Sequence, residues 1–203
     1  AVGITYSHAD EIFWLASATA EQHPGLEPIG RRGDEVVAWQ GDRLAVLGAD
    51  SFAVTAVSEP LERDHAYVYD DVVAFADRGF ATSATTVLLP SMTPGPAIEG
   101  GYVLIDPQVP RAVVIGEAGD DPWALASARA RVVDLASGKT LRSFVAKTPS
   151  HARLGHVYAF DRDKLAILHG YNLFVVDLTT GASRTVPLDW YDPEQWAVLS
   201  RPG

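Results

Sequence analysis

The sequence predicts an all-β chain folded as a five-bladed β-propeller, on three observations. First, five short segments look like copies of one another: Glu35-Val36-Val37-Ala38-Trp39, Asp71-Val72-Val73-Ala74-Phe75, Val113-Val114-Ile115-Gly116-Glu117, His156-Val157-Tyr158-Ala159-Phe160 and Glu194-Gln195-Trp196-Ala197-Val198. Second, their starts lie 36, 42, 43 and 38 residues apart, and the count from Glu194 round through residue 1 to Glu35 is 44. A β-rich period near 40 marks a radial array of sheets. Third, the fourth position of every copy is Ala or Gly. Small residues there let crowded innermost strands approach one another.

The elements follow in chain order. The N-terminal region supplies strands near 2–7, 11–18 and 26–30. The first complete blade has strands at 35–39, 43–47, 51–57 and 66–70. The blade that opens at Asp71 is irregular, and the segment from Ser91 to Ala97 reads as a surface loop by composition. The next blade has strands near 112–117, 122–127, 130–136 and 139–146. The clearest blade has strands at 156–160, 164–168, 173–177 and 184–188, joined by turns at Asp161-Arg162-Asp163, His169-Gly170-Tyr171-Asn172 and Thr179-Thr180-Gly181. Pro187 cannot donate to a ladder and marks an edge strand. A last strand at 195–199 is expected to join the N-terminal strands and close the ring. Closure would remove free sheet edges and tie both termini into one single domain, 1–203.

Two hairpin phrases repeat at an offset of 43: Val133-Asp134-Leu135-Ala136-Ser137-Gly138 and Val176-Asp177-Leu178-Thr179-Thr180-Gly181. They resemble the blade hairpins of quinoprotein-like and YVTN-type propeller repeats. The resemblance implies a propeller scaffold, in a group whose members bind a quinone cofactor, proteins or sugars.

Composition sets outer bounds. The 203 residues are 47% hydrophobic and 21% charged, as in an ordinary globule with a sizeable core. No apolar run approaches the roughly 20 residues of a membrane helix. The first residues lack the basic-then-apolar layout of a signal peptide, and the compartment stays open. Zero Cys excludes disulfides and thiolate chemistry. A net charge of −10 disfavours nucleic acid and anionic membranes as partners. It favours a basic protein partner or a cation.

In a propeller, one end carries the loops that enter each innermost strand and those between second and third strands. Ligands sit at that end, over the channel. The first residues of the five copies would point there: Glu35, Asp71, Val113, His156 and Glu194. Unpaired carboxylates would repel, and a divalent ion on the axis would relieve the repulsion. Oxygen ligands suit calcium or magnesium, and an imidazole admits zinc or manganese. Glu35, Asp71, His156 and Glu194 are thus the expected metal ligands. The competing structural reading pairs the carboxylates with Arg31, Arg32 or Arg111. The same end is expected to gather His8, Asp10, Asp34, Asp50, His169, Tyr171 and Asp192 as ligand-binding residues.

Ser51, Ser83 and Ser150 lack a Gly-x-Ser-x-Gly setting, and no phosphate loop or dinucleotide fingerprint occurs. The expected function is therefore a non-enzymatic module that binds a protein or small polar ligand. The alternative is a metal-dependent hydrolase or lyase at the channel mouth.

Overall fold

The computed structural model describes residues 4–7, 11–14, 19–22, 25–48, 51, 53–76, 81–116, 128–146, 158–169 and 172–187. Among them there is no helix, and every strand pairing is antiparallel. The first sheet holds β1 (Ile4–Ser7), β2 (Glu11–Trp14) and β3 (Thr19–Gln22), in that order. The second holds β4 (Leu26–Arg32), β5 (Glu35–Gln40), β6 (Arg43–Gly48) and β7 (Val54–Pro60). The third begins with β8 (His65–Val68), β9 (Val72–Ala76) and β10 (Ala81–Leu88), with the two-residue β11 (Thr93–Pro94) on β10. It continues through β12 (Ile98–Ile105), β13 (Arg111–Ile115), β14 (Ala128–Asp134) and β15 (Thr140–Ala146). The fourth holds β16 (Tyr158–Asp161), β17 (Lys164–His169), β18 (Asn172–Asp177) and β19 (Ser183–Pro187).

The long sheet is two four-stranded units joined through β12. Ile98 and Glu99 pair with β10, Tyr102 to Ile105 pair with β13, and Val103 also pairs with Ala81 of β10. Gly100 and Gly101 lie between, at φ +89° and +150°. A Cβ on Gly101 would stand 2.7 Å from the Ile115 carbonyl oxygen. Only glycine lets β12 pass this close to β13 while it leaves one unit for the next.

Alternation along the strands builds the core. Val37 and Trp39 of β5, with Leu44 and Val46 of β6, pack on Val73, Phe75 and Val87 of the following unit. Val36, Ala38, Ala45 and Leu47 form a separate cluster on the opposite face. Val72 and Ala74 meet Ile105, Ala112 and Val114. On the other face of that unit, Val113, Ile115 and Val132 meet Leu165, Ile167, Phe174 and Val176. Successive units therefore stack face to face, and their middle strands are covered on both sides.

The two repeated phrases fold alike. Asp134 Oδ1 accepts from Ser137 N at 2.8 Å, and Asp177 Oδ1 accepts from Thr180 N at 2.8 Å. Gly138 and Gly181 close the turns at φ +69° and +75°. Leu135 and Leu178 are buried beneath them. Their amides donate to Pro110 and Asp163 carbonyls of the preceding turns. Side-chain capping of turn amides by Asp is the physical basis of the motif.

This match corrects the phase of the repeat. If β14 and β15 correspond to β18 and β19, then β13 corresponds to β17 and β12 to β16. The segment at 156–160 thus heads its sheet, as β16, whereas 35–39 and 71–75 form the second strands of theirs. The expected fourth strand at 66–70 heads the next sheet as β8, and 26–30 belongs to β4, not to the N-terminal sheet. β13 pairs directly with β14. The expected strands at 122–127 and 195–199 lie outside the described residues. Ala38 and Ala74 are fully buried, Gly116 takes φ +84° past the end of β13, and Ala159 is exposed. Pro187 does lie on an edge strand, β19.

Candidate functional site

One end of the stacked sheets is tied together by hydrogen bonds that run from turn to turn. Arg32, at the close of β4, donates from Nε to the Asp70 carbonyl in the β8–β9 turn. Its Nη1 meets Glu35 Oε2 at 2.7 Å. Arg31 donates to the Gly33 carbonyl at 2.5 Å and pairs with Asp34 at 3.3 Å. The Tyr69 hydroxyl donates to the Asp106 carbonyl in the β12–β13 turn at 2.5 Å. Asp106 is 1% exposed. Its carboxylate accepts from Gln108 N at 3.0 Å and from Arg111 Nε at 2.9 Å. Arg111 continues to Asp163 at 2.9 Å and to the Arg162 carbonyl in the β16–β17 turn.

On this end Asp34, Asp70, Asp71 and Asp163 are exposed. Among the described residues, neither the Asp70 nor the Asp71 carboxylate has an ion pair. Asp71 contributes its carbonyl, which accepts from Leu89 N at 2.8 Å. Arg32 and Arg111 turn inward as struts, while Arg31 and Arg162 are exposed beside these acids.

Beneath the turns lies a group of tyrosines. Tyr67 of β8 hydrogen-bonds to Tyr158 of β16, and Tyr158 also contacts the Ile105 backbone of β12. Strands that head three different units therefore meet. β4 joins them beside β8, where a Cβ on Gly30 would meet Val68 Cγ2 at 2.6 Å. β4, β8 and β16 are half-buried and β12 is largely buried from Val103 to Ile105, whereas β5, β9 and β13 are almost wholly buried. The sequence copies at 35–39, 71–75 and 113–115 thus mark dry second strands, whereas the described part of the copy at 156–160 lies in the leading strand β16. The strands at the convergence are less apolar and weaker in pattern.

Burial raises the ionisation of Tyr69 well above its ordinary 10.0, and the nearby Asp106 charge adds to it. Burial does the same for Tyr158, with Tyr67 adding to the effect. A group whose folded pKa lies above its unfolded value stabilises the fold fully below the unfolded pKa. It loses that contribution as pH rises toward the folded value. Stability is therefore expected to fall steeply above about pH 10, with unfolding and tyrosinate absorbance at 295 nm appearing together. Tyr158→Phe should flatten the fall; an unchanged profile in that variant would refute the linkage. Asp177 shifts the other way, lowered by the Thr180 and Thr179 turn amides.

Of the residues expected to bind, Asp34, Glu35 and Asp71 lie on the end just described, linked through Arg32 and the β8–β9 turn. Glu35 pairs with Arg32, one of the arginines named for it in the competing reading, and Asp34 pairs with Arg31. His169 pairs with Asn172 at the end of β17 remote from Lys164. Lys164 follows the Arg162–Asp163 turn, so His169 lies at the opposite end of the sheets from Asp34 and Asp71. With the phase corrected, connections into the leading strands also fall at that opposite end. His8, Asp10, Asp50, His156, Tyr171, Asp192 and Glu194 lie outside the described residues. Among the described residues, no group of three or more His, Asp or Glu comes together as a metal site.

Sequence reasoning missed Asp106 and Tyr69 as the members that join units. A signal was present: Asp106 directly follows Val103-Leu104-Ile105. An acid at the end of a fully apolar strand must find a partner if burial continues.

The architecture and these contacts define a class. Antiparallel four-stranded sheets stack face to face, and their leading strands converge, as in β-propeller proteins. Solved structures agree. The chain is similar to Kluyveromyces lactis Hsv2 with loop 6CD replaced by a Gly-Ser linker, at a TM-score of 0.53 and 12% identity, over 90% of this chain and 62% of that one. A second K. lactis Hsv2 structure gives 0.50 and 11%, over 86% and 61%. BamB from Moraxella catarrhalis gives 0.48 and 15%, over 81% and 50%. These neighbours are propeller folds of the WD40-like and quinoprotein-like kinds. The chain spans less than two thirds of the length of each. No protein-family model matches the sequence, and no curated protein matches it. Among the described residues, no helix is long and apolar enough to cross a membrane.

Proposed function

We propose that this chain is a non-enzymatic binding module whose turn-bearing acidic end engages a basic segment of a partner protein. The observation that carries the reading is the β8–β9 turn. Asp70 and Asp71 are exposed and without an ion pair among the described residues, and the backbone beneath them is held by Arg32 and Leu89 N. Fixed, unpaired charges on a rigid scaffold suit electrostatic recognition, which acts mainly on association rate and specificity. The net charge of −10 adds a long-range pull on cations. The propeller scaffold supports a binding role by analogy of fold alone. The reading includes five units as blades of one ring, with 195–199 completing the β1–β3 sheet. It is supported by the contact of Tyr67 with Tyr158.

The test uses a fluorescent oligolysine peptide as probe. Binding is expected to weaken by about tenfold between 50 and 200 mM salt, as screening shortens the Debye length. The double substitution Asp70→Lys, Asp71→Lys should weaken it by a similar factor at low salt, with the urea midpoint unchanged. Binding indifferent to both salt and substitution would refute the proposal.

A further inference from the structure

At the end of the sheets opposite the Arg111 turn, β12, β14 and β15 enclose an open groove of about 550 Å³. Its lining includes Gly100, Gly116, Arg129, Arg131, Ser143 and Val145. The register explains the composition. Arg129 pairs across with Val145, and Arg131 with Ser143. Ala130 and Phe144 also border the groove, and their side chains pack in the cluster formed with β17 and β18. Two arginines two residues apart on one strand therefore share the groove face. Gly100 forms the floor, and a Cβ there would come within 3.2 Å of Arg131 Nη2.

Arg131 is half-buried, and its guanidinium donates to the Glu99 carbonyl. Among the described residues it has no carboxylate partner. A guanidinium held by a backbone carbonyl keeps further donors free for the bidentate contact that a carboxylate or phosphate makes. The backbone bond to Glu99 fixes the guanidinium in place, which lowers the entropic cost of a second, bidentate contact. The volume falls within the usual range for small-ligand sites. Val145, 57% exposed, offers an apolar wall beside the charge.

We infer that this groove binds a small ligand in which a carboxylate or phosphate is attached to an apolar body. The anionic group sits on Arg131, and the body lies along Val145. This site is independent of the acidic end, so either can fail without the other.

The experiment titrates benzoate and phenyl phosphate into isotope-labelled protein, with benzyl alcohol and benzylammonium as neutral and cationic controls. Saturating amide shifts are expected at Gly100, Gly116 and Ser143 for one or both anions and for neither control. The better anion distinguishes a carboxylate site from a phosphate site. Arg131→Gln should weaken binding by about tenfold, the scale of one charged hydrogen bond. Arg131→Lys should fall between, because it keeps the charge and loses the planar fork. Arg142→Gln, whose partner Val132 lies on the other face of the same strand pair, should leave binding unchanged. Three results would overturn the inference: equal shifts with the controls, full binding in Arg131→Gln, or an equal loss in Arg142→Gln.

Discussion

Asp106→Ala is expected to destabilise the chain by about 3–5 kcal/mol, the scale for breaking one side of a buried ion pair. Its carboxylate is 2% exposed and Arg111 12% exposed, so neither charge is well solvated. Removing the acid leaves the guanidinium only the exposed Asp163 and the Arg162 carbonyl, and leaves Gln108 N without its acceptor. For a chain of this size the melting temperature should drop by about 6–20 °C. Asp163→Ala removes the other carboxylate on the same guanidinium. That side chain is 64% exposed, and its loss should cost at most about 1 kcal/mol. The contrast is measured by urea denaturation of the two variants. Equal costs would show that Asp106 is not the buried anchor between the units.

Phe75→Ala should be comparably severe, about 3–5 kcal/mol. Phe75 is 1% exposed and its ring centroid lies 5.3 Å from that of Trp39, tilted by 42°. The two rings form the centre of the contact between the β4–β7 sheet and the unit that follows. Arg63 lies over Trp39 at 5.3 Å and pairs with Glu27, which seals the edge of that contact. Truncation leaves a cavity that rigid flanking strands cannot fill. The denaturant midpoint should fall while its slope stays constant. A loss below about 1 kcal/mol would mean that the units do not depend on face-to-face packing.

Much of the strand pattern was legible in the chain itself. The strands at 35–40, 43–48, 164–169 and 172–177 lie within a residue of their expected limits. Alternating apolar residues and local turn chemistry define them, and both act over a few residues. The two Asp-Leu-x-x-Gly turns were legible for the same reason, since Asp caps amides within its own turn. The phase of the repeat was not. In the units of Glu35, Asp71 and Val113 the second strand was taken as the innermost, yet β4, β8 and β12 head them, and β4 and β8 are only half-buried. The driest strand is the second, because a neighbouring unit covers each of its faces. That one-strand slip put His169 on the same end as Asp71, whereas the pairing places it opposite.

The sequence by itself determined the all-β class, the acidic balance of these 203 residues and the turn chemistry of the repeated hairpins. All are properties of composition or of short-range spacing. Only the tertiary structure decided which strands converge, which end each turn occupies, and which charges are paired. Arg111 meets Asp163 across 52 positions, and Tyr69 meets Asp106 across 37. Such partners are chosen by the stacking of whole sheets, and no local pattern encodes them. The same holds for Arg131. Alternation shows that it shares a face with Arg129, but only the folded neighbours reveal that, among the described residues, no acid pairs with it.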